Sequence, residues 1–152
     1  MIYDTKYEAL NAFFSELASE LLSGPAFPTT SDNFAGTYLG THVIDSLPGY
    51  ITYYCPITPF SGSDSGTTAG EVNVWLRTSS EAAINRVATA ISYAIGYGGV
   101  LLRYSGGALW IRRGDPLIVP ISVPDDPGIL RRLINIEIED LGAAIPPQPG
   151  PM

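Results

Sequence analysis

Residues 70–91, GEVNVWLRTSSEAAINRVATAI, change their hydrophobic period within a few positions, and that change limits the folds open to the chain. Val72, Val74 and Leu76 alternate with Glu71, Asn73, Trp75 and Arg77, the period-two pattern of a strand with one buried face. Thr78-Ser79-Ser80-Glu81 then has the form of a capping box and predicts a helix over 79–95. Ile84, Val87, Ala88, Ile91 and Ile95 make its inward stripe, while Ala82, Ala83, Ala90 and Ala94 keep its flanks thin. A strand that feeds straight into such a helix calls for a layered fold, with the helix laid on a sheet.

The rest of the chain supplies a second helix and more strands. Thr5 to Glu8 has a capping-box pattern, and Leu10, Phe13, Phe14, Leu17 and Leu21 recur at helical spacing, with Glu16 and Glu20 on the other face. Gly24-Pro25 ends that helix, and 25–36 reads as a loop. Tyr38 to Ile44 and Tyr50 to Cys55 are rich in β-branched and aromatic residues, with Leu47-Pro48-Gly49 as turn material between them. Residues 61–70, SGSDSGTTAG, read as a flexible excursion without core-forming side chains.

VLLRY and ALWIRR flank Ser105-Gly106-Gly107, a hairpin signal. Pro120 within LIVPI (117–121) places that strand at an edge or a bulge. LINIEIED (133–140) alternates strictly, with Ile134, Ile136 and Ile138 on one side and Leu133, Asn135, Glu137 and Glu139 on the other. The expected class is α+β: two helices packed on a mostly antiparallel twisted sheet. A length of 152 residues suits a single domain, taken as 1–144, followed by a proline-rich, disordered tail over 145–152.

Charged residues form only 15% of the chain against 45% apolar, so it is expected to fold. The seven acids of residues 1–70 face Lys6 alone, a net −6; the eight acids of 71–152 face seven arginines, a net −1. Such a chain lacks the basic field that drives nucleic-acid affinity. No apolar run is long enough to span a bilayer, and the N-terminus lacks the basic segment and apolar block of a signal peptide, so a soluble cytoplasmic product is the expectation.

Few residues of the chain carry a catalytic or metal-binding pattern. His42 is the single histidine, too few for a histidine metal site, and it would be the base of a serine nucleophile only by chance. In GSDSG (62–66) Asp64 stands where a nucleophile elbow needs serine. GYGG (96–99) follows a helix, the reverse of a phosphate loop. Cys55 reads as a buried thiol. Asp115, Asp125 and Asp126 belong either to a turn or to a carboxylate site. Glu137 and Glu139 share one strand face that is solvated or part of an interface. The pairs Arg112-Arg113 and Arg131-Arg132 form either exposed rims or bridges to a neighbour's acids. Trp75, Trp110, Tyr50, Tyr53 and Tyr54 read as core, unless one is left on an outer face as a contact patch. No enzyme class and no cofactor is expected.

The strand ending in Arg77, the Ser/Glu-capped alanine-rich helix, the hairpin and GDPLIVPI…DDPGILRRLINIEIE together resemble the tail-terminator (tail-completion) proteins of long-tailed bacteriophages, some of which are known as minor capsid proteins. The likeness covers residues 36–140, and the leading helix over 5–23 fits it. It rests on element order and on Arg77, Pro116, Arg131-Arg132 and NIEIE; the glycine-serine excursion at 61–70 and the proline-rich tail depart from it. It implies a structural virion subunit of the neck, assembled in the host cytoplasm. Copies would form a ring, usually of six, on the tail-tube protein beneath the head connector. DNA would pass through without specific binding, repelled by an acidic bore. The candidate subunit or partner contacts are Asp64, Arg112, Arg113, Asp125, Asp126, Arg131 and Arg132, with the arginines meeting a neighbour's acids. The alternatives are a monomeric or dimeric protein-binding module or adaptor, another connector or tube subunit, and a small hydrolase or transferase using Asp115, Asp125 and Asp126.

Overall fold

The computed structural model describes residues 2–28, 47–57, 67–124 and 126–141. The described elements run α1 (Lys6–Leu22), β1 (Ala26–Pro28), β2 (Gly49–Tyr54), β3 (Thr67–Leu76), α2 (Glu81–Ile95), β4 (Val100–Tyr104), β5 (Gly107–Ile121) and β6 (Leu130–Asp140). The strands form one strongly curled sheet in the order β1-β2-β3-β6-β5-β4. Every neighbouring pair is antiparallel except β1 with β2. The α+β class expected from the patterning is the class of the fold.

Both helices lie on one side of the sheet because their apolar stripes match its apolar rows. Leu10, Phe14 and Leu17 of α1 and Ile84, Ala88, Ile91 and Ile95 of α2 are buried against Ile51, Val72, Val74, Leu109, Ile111, Ile134, Ile136 and Ile138. Phe13 and Leu21 flank this core, half-buried. Each helix starts as its cap residue dictates: the Thr5 Oγ1 accepts from the Glu8 amide at 3.1 Å, and the Ser80 Oγ accepts from the Ala83 amide at 3.1 Å. The second cap is Ser80 rather than Thr78, whose hydroxyl accepts from the Ser80 amide and shapes the approach. The helix therefore begins at Glu81, two residues later than 79.

Three stretches differ from their sequence reading. Residues 26–28, expected within a loop, add a short parallel strand to β2. Gly24 makes this possible: a Cβ there would stand 2.0 Å from the Gly49 carbonyl oxygen, so only glycine lets the chain pass. The left-handed cap of α1 is carried by Ser23 (φ 53°). Thr67 to Gly70, expected within a flexible excursion, begin β3 and pair with Ile136 to Glu139. Gly70 fits there because Ile138 and the Tyr54 carbonyl leave no room for a side chain without a shift, a Cβ meeting both at 3.0 Å.

β3 also buries both faces rather than one. Asn73 and Trp75 are as enclosed as Val72 and Val74, because the far side of the sheet holds its own small cluster of Tyr50, Trp75 and Ile129, edged by Phe27, Leu47 and Val123. The hairpin of β4 and β5 closes through Ser105-Gly106, with Tyr104 opposite Gly107. β5 is longer than its partner: β4 pairs with residues 107–111, and beyond them β5 continues along β6 past an irregularity between Arg113 and Ile118. Among the described residues no strand pairs with the other side of 112–121. Pro120 thus sits on an edge, as its missing amide requires. The strand expected at 38–44, His42, the stretch 61–66 and the tail 145–152 lie outside the described residues.

Candidate interaction surface

The side of the sheet away from the helices carries most of the residues singled out in the sequence. Strand register aligns them in rows: Tyr50, Trp75, Arg131 and Ile121; then Thr52, Asn73, Leu133 and Val119; and, toward the other end, Thr67, Glu139 and Trp110, with Glu137 beside Arg112. The first rows are dry and the last are wet.

At the dry end, Tyr50 stacks on Trp75 with ring centroids 5.7 Å apart. The Arg131 guanidinium lies 4.7 Å from the centre of the Trp75 ring, and its Nε donates to the Asn73 Oδ1 at 2.8 Å. The Trp75 Nε1 donates to the Thr52 Oγ1 at 2.9 Å, so the polar edge of the indole is satisfied too. Burial draws the Arg131 pKa below its ordinary value, opposed by Glu71 and Tyr50. A guanidinium starts so high that it keeps its charge at neutral pH. Arg131 is 9% exposed and Arg132 7%, which overturns their reading as an exposed rim. The cause is the curl of the sheet, which folds this corner of β6 between Trp75 on one side and α2 on the other. Arg132 faces α2, where it donates to the Asn85 Oδ1 at 2.9 Å and is paired with Glu81.

At the wet end, Arg112 lies 3.3 Å from Glu139 and 3.8 Å from Glu137. It also donates to the Thr67 Oγ1 at 3.1 Å and covers the Trp110 ring at 4.7 Å. Trp110 donates to the Gly98 carbonyl at 2.9 Å and is half-buried, whereas Tyr54 and Leu101 are exposed. Glu137 and Glu139 thus belong to a solvated ion cluster crossing β5 and β6. Arg113 points to the opposite face. Its Nε and Nη2 donate to the Ser92 carbonyl at 3.0 and 2.8 Å, and its guanidinium sits 4.3 Å from the Tyr97 ring and 5.8 Å from that of Tyr93.

Of the candidate aspartates, Asp115 and Asp126 are described. Asp126 is a turn brace: one oxygen accepts from the Gly128 amide at 2.9 Å, the other from Arg77 at 3.1 Å. Asp115 is exposed on β5, and Asp64 and Asp125 lie outside the described residues. Among the described residues no three His, Cys, Asp or Glu side chains gather as a metal would need. Cys55 is buried, and desolvation pushes its thiol far above the usual range; Tyr53 is raised for the same reason, with Cys55 adding to it. The described helices include none long and apolar enough to cross a membrane.

One concave feature adjoins the dry end. A cleft of about 430 Å³ is lined by Glu81 and Arg132 on one side and by Pro120, Val123, Pro127 and Ile129 on the other. Its walls mix polar and apolar surface and include the ion pair of Arg132 with Glu81.

The chain matches no family model and no curated protein. Eight chains among solved structures match it in shape. One covers 88% of this chain and 92% of its own, with a TM-score of 0.54 and 14% sequence identity. A likeness at that identity establishes the fold alone.

Two arrangements escaped the sequence. Lys6 is buried in the first turn of α1 and donates to Asp140, the last residue of β6, at 2.6 Å. Tyr104 of β4 donates to the other Asp140 oxygen at 2.7 Å, and burial, then this bond, raises its pKa. Three elements far apart in sequence meet here, and nothing in their local patterns signals it; a lone lysine at a helix start reads as a surface residue. The second is the pair of exposed tyrosines, Tyr93 and Tyr97, around Arg113. Part of their signal was present, since Tyr93 is a large aromatic on the outward side of α2; Tyr97 follows the helix, past Gly96.

Proposed function

We propose that the chain is a structural subunit that assembles with copies of itself into a ring, in the manner of the phage tail-terminator proteins it resembles, capping a tail tube beneath the head connector and leaving a passage for DNA. The observation that carries this reading is the open margin of β5. Residues 112–121 have β6 on one side and no strand on the other among the described residues, so a long sheet edge faces outward in the middle of one element. Pro116 and Pro120 remove two amides from that margin, which discourages indefinite strand addition and favours contact through side chains. A surface that meets a different surface of the next copy, with a closing rotation, builds a ring.

Further support comes from the order of elements. Strand, arginine, capped alanine-rich helix, hairpin and two long strands follow one another here as in the resemblance. The acidic balance suits a conduit for a polyanion. Size-exclusion chromatography with light scattering, from micromolar to millimolar subunit concentration, tests the assembly, and negative-stain microscopy tests its shape. The expected result is a closed oligomer with a central opening, six copies in the resemblance. A monomer throughout that range, alone and with tube and connector proteins, overturns the reading.

The second reading, a protein-binding module or adaptor, draws on the proline-lined cleft beside Arg132. It predicts a stable monomer or dimer whose binding is lost when Ile129 is replaced by a charged residue.

A further inference from the structure

The two helices lie side by side on the sheet, and their outward faces are chemically opposed. On α1, Glu8, Ala12, Glu16, Ser19 and Glu20 follow one another at steps that keep them on one side, and Glu8, Glu16, Ser19 and Glu20 are exposed. The only cation of the helix, Lys6, is turned inward to Asp140. None of the three glutamates has an ion pair among the described residues. On α2, Ala82, Arg86, Ala90 and Tyr93 form the corresponding outward row, with Arg86 exposed and likewise without an ion pair among the described residues. The row ends at Tyr93 (69% exposed) and Tyr97 (92% exposed). Beside them lies Arg113, which has a carbonyl and two rings as partners but no carboxylate among the described residues.

We infer that the outward face of α1 in one copy docks on the Arg86–Tyr93–Tyr97 face of α2, with Arg113 at its end, in a second copy. The inference rests on the self-assembly reading above and names its contact. Three independent observations select this occupant. The acid row and the cation row are complementary in charge, and each lacks a carboxylate–cation partner among the described residues of its own chain. The small residues between the charges, Ala12 and Ser19 against Ala82 and Ala90, let two helices approach closely while the longer side chains interleave. Two tyrosines and an arginine left outside the core are the residue types that concentrate at the centres of protein contacts. Because the two rows are different surfaces of the same chain, the contact is open to head-to-tail repetition from copy to copy, which a closing rotation turns into a ring; a two-fold pair that exchanges α1 and α2 would use the same rows twice. It also shifts the interface away from Arg131 and Arg132, whose guanidinium groups are already held inside the subunit.

The geometry supplies its own control. Glu16→Arg with Glu20→Arg makes both faces basic; Arg86→Glu with Tyr93→Glu makes both faces acidic. All four positions are exposed, so circular dichroism and melting should match the unmodified protein. Each double variant alone should lose self-association, the dissociation constant rising at least about tenfold, and an equal mixture should regain it through alternating copies. Tyr97→Ser, at a position outside any helix or strand, gives a single-site check and should weaken assembly without affecting folding. Association of either double variant at the unmodified strength, or failure of the mixture to reassociate, overturns this contact while leaving a ring built through other surfaces standing. An unmodified protein that stays monomeric removes both.

Discussion

The helix-free side of the sheet holds the same small device twice: a guanidinium 4.7 Å from the centre of an indole ring. At one end Arg131 covers Trp75; at the other Arg112 covers Trp110. The surroundings make them unequal. Trp75 is fully buried, stacked on Tyr50, and bound through its ring nitrogen to Thr52. Trp110 is half-buried, and its arginine reaches two carboxylates that water also reaches. A cation on an aromatic ring gains more where solvent is excluded and competing hydration is absent. Identical chemistry therefore serves as an internal strut at one end and as a screened surface cluster at the other, and what separates them is the curl of the sheet.

Removing the rings should break the symmetry most visibly. Trp75→Ala empties a closed site and is expected to cost about 3–5 kcal/mol of unfolding free energy in urea titrations. Trp110→Ala, at a site open to water, should cost clearly less. Equal losses would mean that the two ends are equally dry and that the comparison is mistaken. The guanidiniums come next. Arg131→Met keeps the stem over Trp75 but leaves the Asn73 side chain without its donor in a buried place, at a cost of about 1–3 kcal/mol. The same exchange at Arg112 strands no buried acceptor and should fall within about 1 kcal/mol.

Acidity offers a third probe, this one of the core on the helix side of the sheet. The Cys55 thiol, just beyond the strand that carries Tyr50 and Thr52, is held protonated by burial. Its folded pKa lies above the unfolded value, so its contribution is complete below the ordinary thiol pKa of about 8.5 and is lost as the pH rises beyond it. In that window the unfolded chain releases a proton that the native chain keeps. Stability should fall by at most about 1.4 kcal/mol per pH unit from this group, and Cys55→Ala should flatten that part of the profile. A thiol reagent should label Cys55 in the native protein no faster than global opening allows. Rapid labelling at neutral pH would show the strand end to be open.

How much of this was legible in the sequence follows from the range of each interaction. Alternation in LINIEIED and the stripe of α2 depend on neighbours a few residues away, so strand, helix and inward face were readable, as was the hairpin at Ser105-Gly106. Alternation put Asn73 and Trp75 opposite the buried row, and Trp75 read as core by residue type alone, because alternation records one face at a time; what buries the second face is the curl and the arrival of Ile129 from far along the chain. Arg131 and Arg132 look like a basic step on paper and become two internal ties, one on each side of β6. Lys6 with Asp140 is the extreme case, since the partners stand at opposite ends of the described chain. The candidate contacts Asp64 and Asp125 lie outside the described residues, and Asp126 is engaged with Arg77. Of the surface most open to a partner, Tyr93 was readable only as a violation of the helix's own pattern, apolar where polar was due, and Tyr97 only as a large aromatic in the turn that follows.

The smallest effect should come from the wet cluster itself, and its salt response is the sharpest test of the difference. Arg112 and Glu139 are each partly exposed, so their attraction is weakened by water and by the entropy of holding two long side chains together. A double-mutant cycle with Arg112→Ala and Glu139→Gln should give a coupling of about 0.2–1 kcal/mol at low ionic strength. Near 1 M salt, where the screening length drops to about 3 Å, that coupling should vanish. The matching cycle with Arg131→Met and Trp75→Phe should keep its value over the same range, because a desolvated cation against a ring is not reached by mobile ions. If both couplings fade together, the dry end is not dry. If both persist, the wet end is more enclosed than its exposure implies, with Glu139 and Arg112 held as a fixed brace between β5 and β6.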